Sequence, residues 1–460
     1  MVKKGVNYRC SECGYDAVKW VGRCPECQAW GTLEERGDAR PAIARIVAGV
    51  PSAAARPIGQ VDIEAARARP TGVSELDRVL GVGLVPGAVV LLAGEPGVGK
   101  STLLLEVAYQ WAVTAGRSLY VTGEESAGQV RLRAERTGNV HDQMYLAAES
   151  DLAAVFGHVD AVQPGVLIVD SVQTMASPLV DGSPGGVTQV RAVAAGLIAM
   201  AKERGLPVLL VGHVTKDGSV AGPRVLEHLV DVVLQFEGDK HSTLRMLRGV
   251  KNRFGAADEV GCFEMHEGGL TSLPDPSGLF LTRYVDAVPG TSVTVAMEGR
   301  RALVTEVQAL VGAVVAGSPR RTVSGLDHSR LGMVLAVLQS RSGLKLHDRE
   351  VFAATVGGIR VVEPAADLAI ALAVASAAND LPLAADLAAI GEVGLTGEVR
   401  RVGAVPRRLA EAARLGFRHA LVPPGCGPAA TGPAPKGMKV LEVANIRVAL
   451  HAAVQLSTGA

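Results

Sequence analysis

Gly94-Glu95-Pro96-Gly97-Val98-Gly99-Lys100-Ser101 decides the fold of this 460-residue chain. Its spacing, G-x-x-x-x-G-K-[ST], is that of a phosphate-binding loop. Gly94, Gly97 and Gly99 let backbone N–H groups turn inward around phosphate oxygens. Glu95, Pro96 and Val98 fill the loop, so the candidate nucleotide-binding set runs unbroken from Gly94 to Thr102. Lys100 has the reach for β- and γ-phosphates, and the Ser101 hydroxyl suits Mg²⁺. The apolar run 88–93 (AVVLLA) reads as a buried parallel strand, and 102–115 has helical apolar spacing. Strand, glycine loop and helix is the setting the motif requires.

Working outward, further apolar runs follow at 118–122, 166–170, 207–213, 229–236 and 243–251, several separated by helical segments. The alternation predicts an α/β domain with a mainly parallel sheet covered on both faces. The last two runs read as a hairpin joined by 238–242. Asp170 ends the run VLIVD and suits the magnesium shell. Glu124 and Glu125 follow SLYVT, at a strand edge where a carboxylate can polarise an attacking water; the residues themselves do not separate the two. His213 ends PVLLVGH, where a polar side chain can sense the γ-phosphate and move the loop after it. Lys251 and Arg253, in KNRFG (251–255), have the character of a finger reaching across a subunit boundary.

Apolar residues make up 48% of the chain, which excludes wholesale disorder. Lys plus Arg and Asp plus Glu both number 46, so overall charge selects no partner. No apolar run reaches the ~18 residues of a membrane span, and MVKKGVNYRC has no apolar signal core. A cytoplasmic protein with no membrane partner is expected.

Four of the six cysteines lie in the first 27 residues: Cys10-x-x-Cys13 and Cys24-x-x-Cys27. Two such turns aim four thiolates at one point, the tetrahedral set Zn²⁺ prefers. Four ligands leave no open position, so the zinc is structural. Gly14 follows the first pair where positive φ is wanted; Gln28 stands in the second. Tyr8, Trp20 and Trp30 are expected to pack around this small core. Cys262 and Cys426 read as buried filler. The expected domains are a zinc finger at 1–35, a linker at 36–57, a nucleotide-binding domain at 58–275, and a last domain at 276–460 with shorter strands and Ala-rich helices near 366–378 and 406–416.

Taken together, KWVGRCPEC, TGVSELDRVLGVGLVPG (71–87), GEPGVGKST, VTGEES, VLIVDSVQT, GHVTKDG and KNRFG resemble, in that order, the bacterial RadA (Sms) family of DNA repair proteins. Val82 stands where that family's GGGL run usually has Gly. The resemblance implies a RecA-like ATPase core, a zinc ribbon, and a C-terminal α+β domain similar to the Lon protease domain (ribosomal S5 domain 2-like). It implies a homo-hexameric ring, Mg²⁺ with ATP, DNA-stimulated hydrolysis, branch migration on single-stranded and branched DNA, and work beside a RecA-type recombinase. RecA-like cores line their DNA channel with the loops that here fall at 174–190 and 215–224, with Arg191, Lys216 and Arg224 as the nearby cations.

Residues 357–375 and 390–421 carry the Lon resemblance. A Lon-type site needs a Ser nucleophile and a Lys base. Ala365 matches the serine and Pro406 the lysine, and Arg407 and Arg408 stay protonated. The domain is therefore expected to be proteolytically silent, with the arginine pairs 400–401 and 407–408 as a candidate duplex-DNA face. An ATP-dependent peptidase is the reading these losses oppose. A nucleotide-gated scaffold similar to KaiC is a further alternative, which leaves the zinc unit and KNRFG unexplained.

Overall fold

The computed structural model describes residues 8–35, 55–60, 62–213, 225–238, 242–282, 287–314 and 318–458. The chain forms two compact units, Met1–Asp62 and Ile63–Ala460.

In the first unit, β1 (Tyr8–Cys10) pairs antiparallel with β2 (Asp16–Ala17) and β3 (Leu33–Glu35). The two cysteine turns close alike: Gly14 N–H donates to Cys10 O and Gln28 N–H to Cys24 O. Gln28 adopts φ 62 although it is not glycine, so both turns share the left-handed residue that the knuckle needs. Cys10, Ala17, Cys24 and Leu33 form the core, with Tyr8 packed against it. The tryptophans correct the sequence reading. Trp20 is 59% exposed and Trp30 75%, and Arg23 stacks over the Trp30 ring at 5.7 Å. Two indoles exceed what so small a core can enclose.

In the second unit, α1 (Ser74–Leu80) precedes β4 (Val89–Gly94), α2 (Lys100–Thr114), β5 (Ser118–Thr122), α3 (Ala127–Thr137), β6 (Met144–Ala148), α4 (Leu152–Val162), β7 (Val166–Asp170), α5 (Val187–Arg204) and β8 (Val208–His213). Next come β9 (Val232–Gly238), β10 (Leu244–Asn252), β11 (Val260–His266) and β12 (Gly269–Ser272). One nine-stranded sheet results, in the order β12-β11-β10-β9-β4-β8-β7-β5-β6. The stretch from β9 to β6 is parallel, and β10, β11 and β12 extend it antiparallel as a meander. Strand β4 is buried throughout. Its Val90 and Leu92 pack with Leu103, Val107 and Trp111 of α2, while Val89 and Leu91 pack with Val193 and Leu197 of α5. A strand covered on both faces must be apolar at every position, which is why it reads as a run and not an alternation. Each such side chain contributes ~1.5–3 kcal/mol by burial.

The chain continues through α6 (Ser277–Phe280), β13 (Thr291–Glu298), β14 (Arg301–Val314), β15 (Arg321–Ser324), α7 (His328–Val337), β16 (Arg349–Thr355), α8 (Asp367–Asn379) and β17 (Leu387–Ala389). It ends with β18 (Glu392–Val393), β19 (Val399–Arg400), α9 (Val405–Arg414), β20 (His419–Val422), α10 (Pro428–Thr431), β21 (Lys439–Glu442) and α11 (Ile446–Thr458). The second large sheet runs β15-β16-β14-β13-β17-β20-β21. Helix α8 lies across β13 and β14, buried from Asp367 to Ser376. Its alanines let helix and sheet approach closely.

The two sheets share charged joints. Arg301 at the head of β14 pairs with Glu75 of α1, both buried, and Glu75 Oε2 also accepts from Cys262 N–H at 2.8 Å. Arg248 of β10 bridges Glu237 of β9 and Glu298 of β13. Among the described residues no helix is long and apolar enough to cross a membrane.

Candidate functional site

The phosphate-binding loop leaves the carboxyl end of β4 and runs into α2. Gly99 sits at φ 109, a backbone conformation that favours glycine, and a Cβ on Gly94 would lie 2.5 Å from the Phe236 carbonyl oxygen, so backbone demands glycine at one position and space at the other. Lys100 opens α2 and is buried; its Nζ donates to the carbonyls of Gly94 and Glu95, each at 2.9 Å. Burial lowers its pKa, opposed by the charges of Asp170 and Glu124. Arg245 of β10 adds a cation that the sequence did not flag: its Nε donates to Val98 O at 3.2 Å. Only the antiparallel extension brings it there.

Three candidate residues end three adjacent strands beside this loop. Asp170 (β7), Glu124 (after β5) and His213 (β8) place one ligand atom each within 4.8 Å of the others. Asp170 is buried; its Oδ2 accepts from Tyr120 OH at 2.5 Å, while Oδ1 has no hydrogen-bond partner. Burial, then the Asp170 charge, pushes the Tyr120 hydroxyl far above its ordinary pKa, so it stays a donor. Glu124 Oε1 meets His213 Nε2 at 2.9 Å and accepts from Ser171 Oγ. The His213 hydrogen bond, with Ser171 and the Lys100 charge adding to it, holds the Glu124 carboxyl down at about 2.

The fold separates the two glutamates that the sequence could not. Glu125 turns away and forms an ion pair with Arg133 of α3. Thr122 Oγ1 fixes both backbones by accepting from the N–H groups of residues 124 and 125. Arg133, Ser171 and Tyr120 escaped the sequence reading because their partners are 8, 47 and 50 residues away.

Lys251 and Arg253 lie elsewhere. Asn252 and Lys251 pair with Val232 and Val233, which pair with Val90 and Leu91 near the start of β4, whereas the loop begins at Gly94. The end of β10 is thus about four residues, or ~13 Å, back along the strand from the loop. Lys251 Nζ donates to Glu227 O (2.7 Å) and Val230 O (2.8 Å), and Arg253 pairs with Asp231 at 3.3 Å. The chain does not bring either cation to its own phosphate loop.

Arg191 is exposed in the first turns of α5. The loop before it is built on Gln189, whose side chain accepts from Ser177 N–H (2.8 Å) and donates to Val180 O (2.7 Å). Lys216 and Arg224, with the rest of 215–224, lie outside the described residues.

The four N-terminal cysteines converge as expected. Cys10 Sγ and Cys27 Sγ are 3.7 Å apart and Cys13 Sγ and Cys24 Sγ 3.6 Å. A tetrahedral Zn²⁺ with ~2.3 Å bonds spaces its sulfurs by about 3.8 Å, so the donor set fits.

In the last domain, Ala365 is buried beside Glu363, and Pro406 sits in the first turn of α9. Arg408, expected on a DNA face, is instead 3% exposed. It forms a two-pronged ion pair with Glu363 (2.6 and 2.7 Å), and Glu363 Oε1 also accepts from Met297 N–H at 2.6 Å. Arg400 is engaged by Glu398 and Glu392, and Arg407 donates to Arg300 O at 2.9 Å. The amphipathic pattern of α9 places position 408 on the face toward β13, which the sequence reading missed.

A glycine cradle on a parallel sheet, a buried lysine at the head of its helix, and carboxylates on nearby strand ends define a P-loop ATPase of the α/β class. Comparison with known proteins agrees. Residues 55–219 match the AAA domain family, residues 8–35 the rubredoxin metal binding domain, and residues 334–425 the subunit ChlI of Mg-chelatase. The DNA repair protein RadA of Mycolicibacterium smegmatis is 57% identical over 96% of this chain and 96% of its own length. That of Mycobacterium tuberculosis is 54% identical (98% and 93%), and that of Streptococcus pyogenes 44% (98% and 99%). The chain belongs to the DNA repair protein RadA family, with the RecA-like core and zinc ribbon that the sequence led us to expect. A KaiC-like protein from Pyrococcus horikoshii OT3 is 21% identical, with a TM-score of 0.39, covering 45% of this chain and 100% of that one.

Proposed function

We propose that this chain hydrolyses ATP at the site beside Lys100 and couples hydrolysis to movement on single-stranded DNA, driving branch migration of recombination intermediates. The observation that carries the reading is the meeting of Lys100, Asp170, Glu124 and His213 at one sheet edge, in a member of a DNA repair family. Gly94 to Thr102 cradle the triphosphate, with Lys100 on its β- and γ-phosphates. Ser101 and Asp170 would hold Mg²⁺, and the buried, unpartnered Asp170 Oδ1 suits that ligand role. When bound, the ion neutralises charge on the phosphate oxygens. Glu124 orients the attacking water and takes its proton as oxygen bonds to the γ-phosphorus and ADP leaves. Glu125, committed to Arg133, braces α3. His213 reads the γ-phosphate.

Lys251 and Arg253 act on a neighbouring subunit's nucleotide in a homo-hexamer, a role favoured by their distance from their own loop. DNA runs along 174–190 with Arg191, and along 215–224 with Lys216 and Arg224; a RecA-type recombinase works on the same intermediates. The domains divide as 1–35, 36–57, 58–275 and 276–460. The last is Lon-like without peptidase activity: Ala365 carries no hydroxyl, and the Glu363–Arg408 pair fills the neighbourhood of the missing dyad.

Phosphate release measured with and without single-stranded DNA tests the reading. A rise with DNA, abolished by Lys100→Ala, is expected. Hydrolysis indifferent to DNA at low salt would replace the motor with a nucleotide-gated scaffold.

A further inference from the structure

Ser171 follows the candidate magnesium ligand directly and is fully buried, with its Oγ donating to Glu124 Oε1. His213 Nε2 meets the same oxygen. The turn that Ser171 opens is tied down on several sides. Thr174 Oγ1 donates to Ser171 O at 2.8 Å, and it lies 2.4 Å from where a Cβ on Gly123 would be. Gln173 Nε2 donates to His213 O at 3.4 Å, and Val172 N–H to Val211 O at 3.1 Å. Beyond the turn, Gln189 pins the loop through Ser177 and Val180, and Leu179 at the tip stands 90% exposed. A push on the loop thus has a short, packed path to Glu124: tip, turn 171–174, serine hydroxyl, carboxylate.

We propose that Ser171 is a positioning residue that restrains Glu124, so that ATP cleavage waits until bound DNA moves the 174–190 loop. This rests on the reading of Glu124 as the water-activating group of a DNA-stimulated ATPase. Two donors on one carboxylate oxygen fix the group and favour its charge, which weakens it as a proton acceptor. DNA seated on the loop draws the turn aside, withdraws the hydroxyl, and leaves the carboxylate able to take the proton. Lys100 and Asp170 stay in place, so ATP binding is unaffected. The sequence VLIVDS gave no hint of this, because a serine after a strand-ending aspartate is unremarkable until the fold sets it against residue 124.

The experiment compares the full-length, zinc-loaded wild type with Ser171→Ala, Ser171→Thr and Gln189→Ala. Phosphate release is measured over a range of ATP concentrations, with and without oligothymidylate. Ser171→Ala is expected to raise the DNA-free kcat about tenfold, the worth of one hydrogen bond to a charged group. Its KM for ATP and its DNA-bound kcat should stay within about twofold of wild type, so the stimulation ratio collapses. Ser171→Thr keeps the hydroxyl and should behave as wild type. Equal loss of kcat with and without DNA in Ser171→Ala, the mark of a merely structural serine, would overturn the proposal. Should Ser171→Ala fail to fold, Gln189→Ala loosens the same path from the loop side; an unchanged DNA-free rate there would overturn it equally. A wild type that DNA does not stimulate sinks the underlying reading, and this inference with it. A stimulated wild type with an unaltered ratio in Ser171→Ala sinks the inference alone.

Discussion

Glu124 and Glu125 show what one peptide unit of displacement does. Both follow the same strand and both backbones hang on Thr122, yet one faces Lys100 and the other Arg133. Replacing each by Gln should separate them. Glu124→Gln removes the proposed proton acceptor and is expected to cut kcat by about 10²–10⁴ while nucleotide binding persists, as read by phosphate release beside fluorescent-nucleotide titration. Glu125→Gln breaks a part-exposed ion pair and should leave kcat within a few-fold. Reversal of that order would reassign the base. The residue scale is also where the phosphate loop was legible, because its function demands backbone conformations that only glycine supplies, at fixed spacing. The partners of Glu124 were not legible, since no local pattern links positions 124, 171 and 213.

At the scale of elements, α9 carries the clearest lesson. Its arginines read as surface charge, yet Arg408 is buried against β13 and neutralised by Glu363, while Arg407 and, on β19, Arg400 engage other groups. Breaking a buried pair by deleting one partner typically costs 3–5 kcal/mol, and Glu363 keeps a quarter of its surface in water, so Arg408→Met should cost about 3 kcal/mol. Thermal unfolding of the single variant and of Glu363→Gln/Arg408→Met checks this: the double variant should regain much of the loss, because no uncompensated carboxylate remains. Casein cleavage should stay absent in both. Strands β4, β7 and β8 were legible as elements because burial on both faces makes them continuous apolar runs. The meander β10–β12 was legible only in part, since its half-buried, mixed runs lack that signature.

For the whole molecule, the position of KNRFG matters most. Its cations sit about four residues behind the phosphate loop along the neighbouring strands, held by Glu227, Val230 and Asp231. Action across a subunit boundary therefore predicts complementation. Mixing Lys100→Ala with Lys251→Ala protomers, each inactive alone, should restore DNA-stimulated ATP hydrolysis above either parent. Rings shown to mix but inactive at every ratio would place Lys251 in cis.

The sequence by itself determined the phosphate-binding loop, the four-cysteine cluster and the parallel core, because phosphate cradling, tetrahedral thiolate chemistry and two-sided burial each impose a local pattern of residue types. Tertiary structure alone decided which glutamate faces Lys100, that Arg408 is buried, and that Ser171 and Arg245 touch the site. Those outcomes depend on which distant strand ends become neighbours, and hydrogen bonds spanning tens of residues leave no periodic trace along a chain.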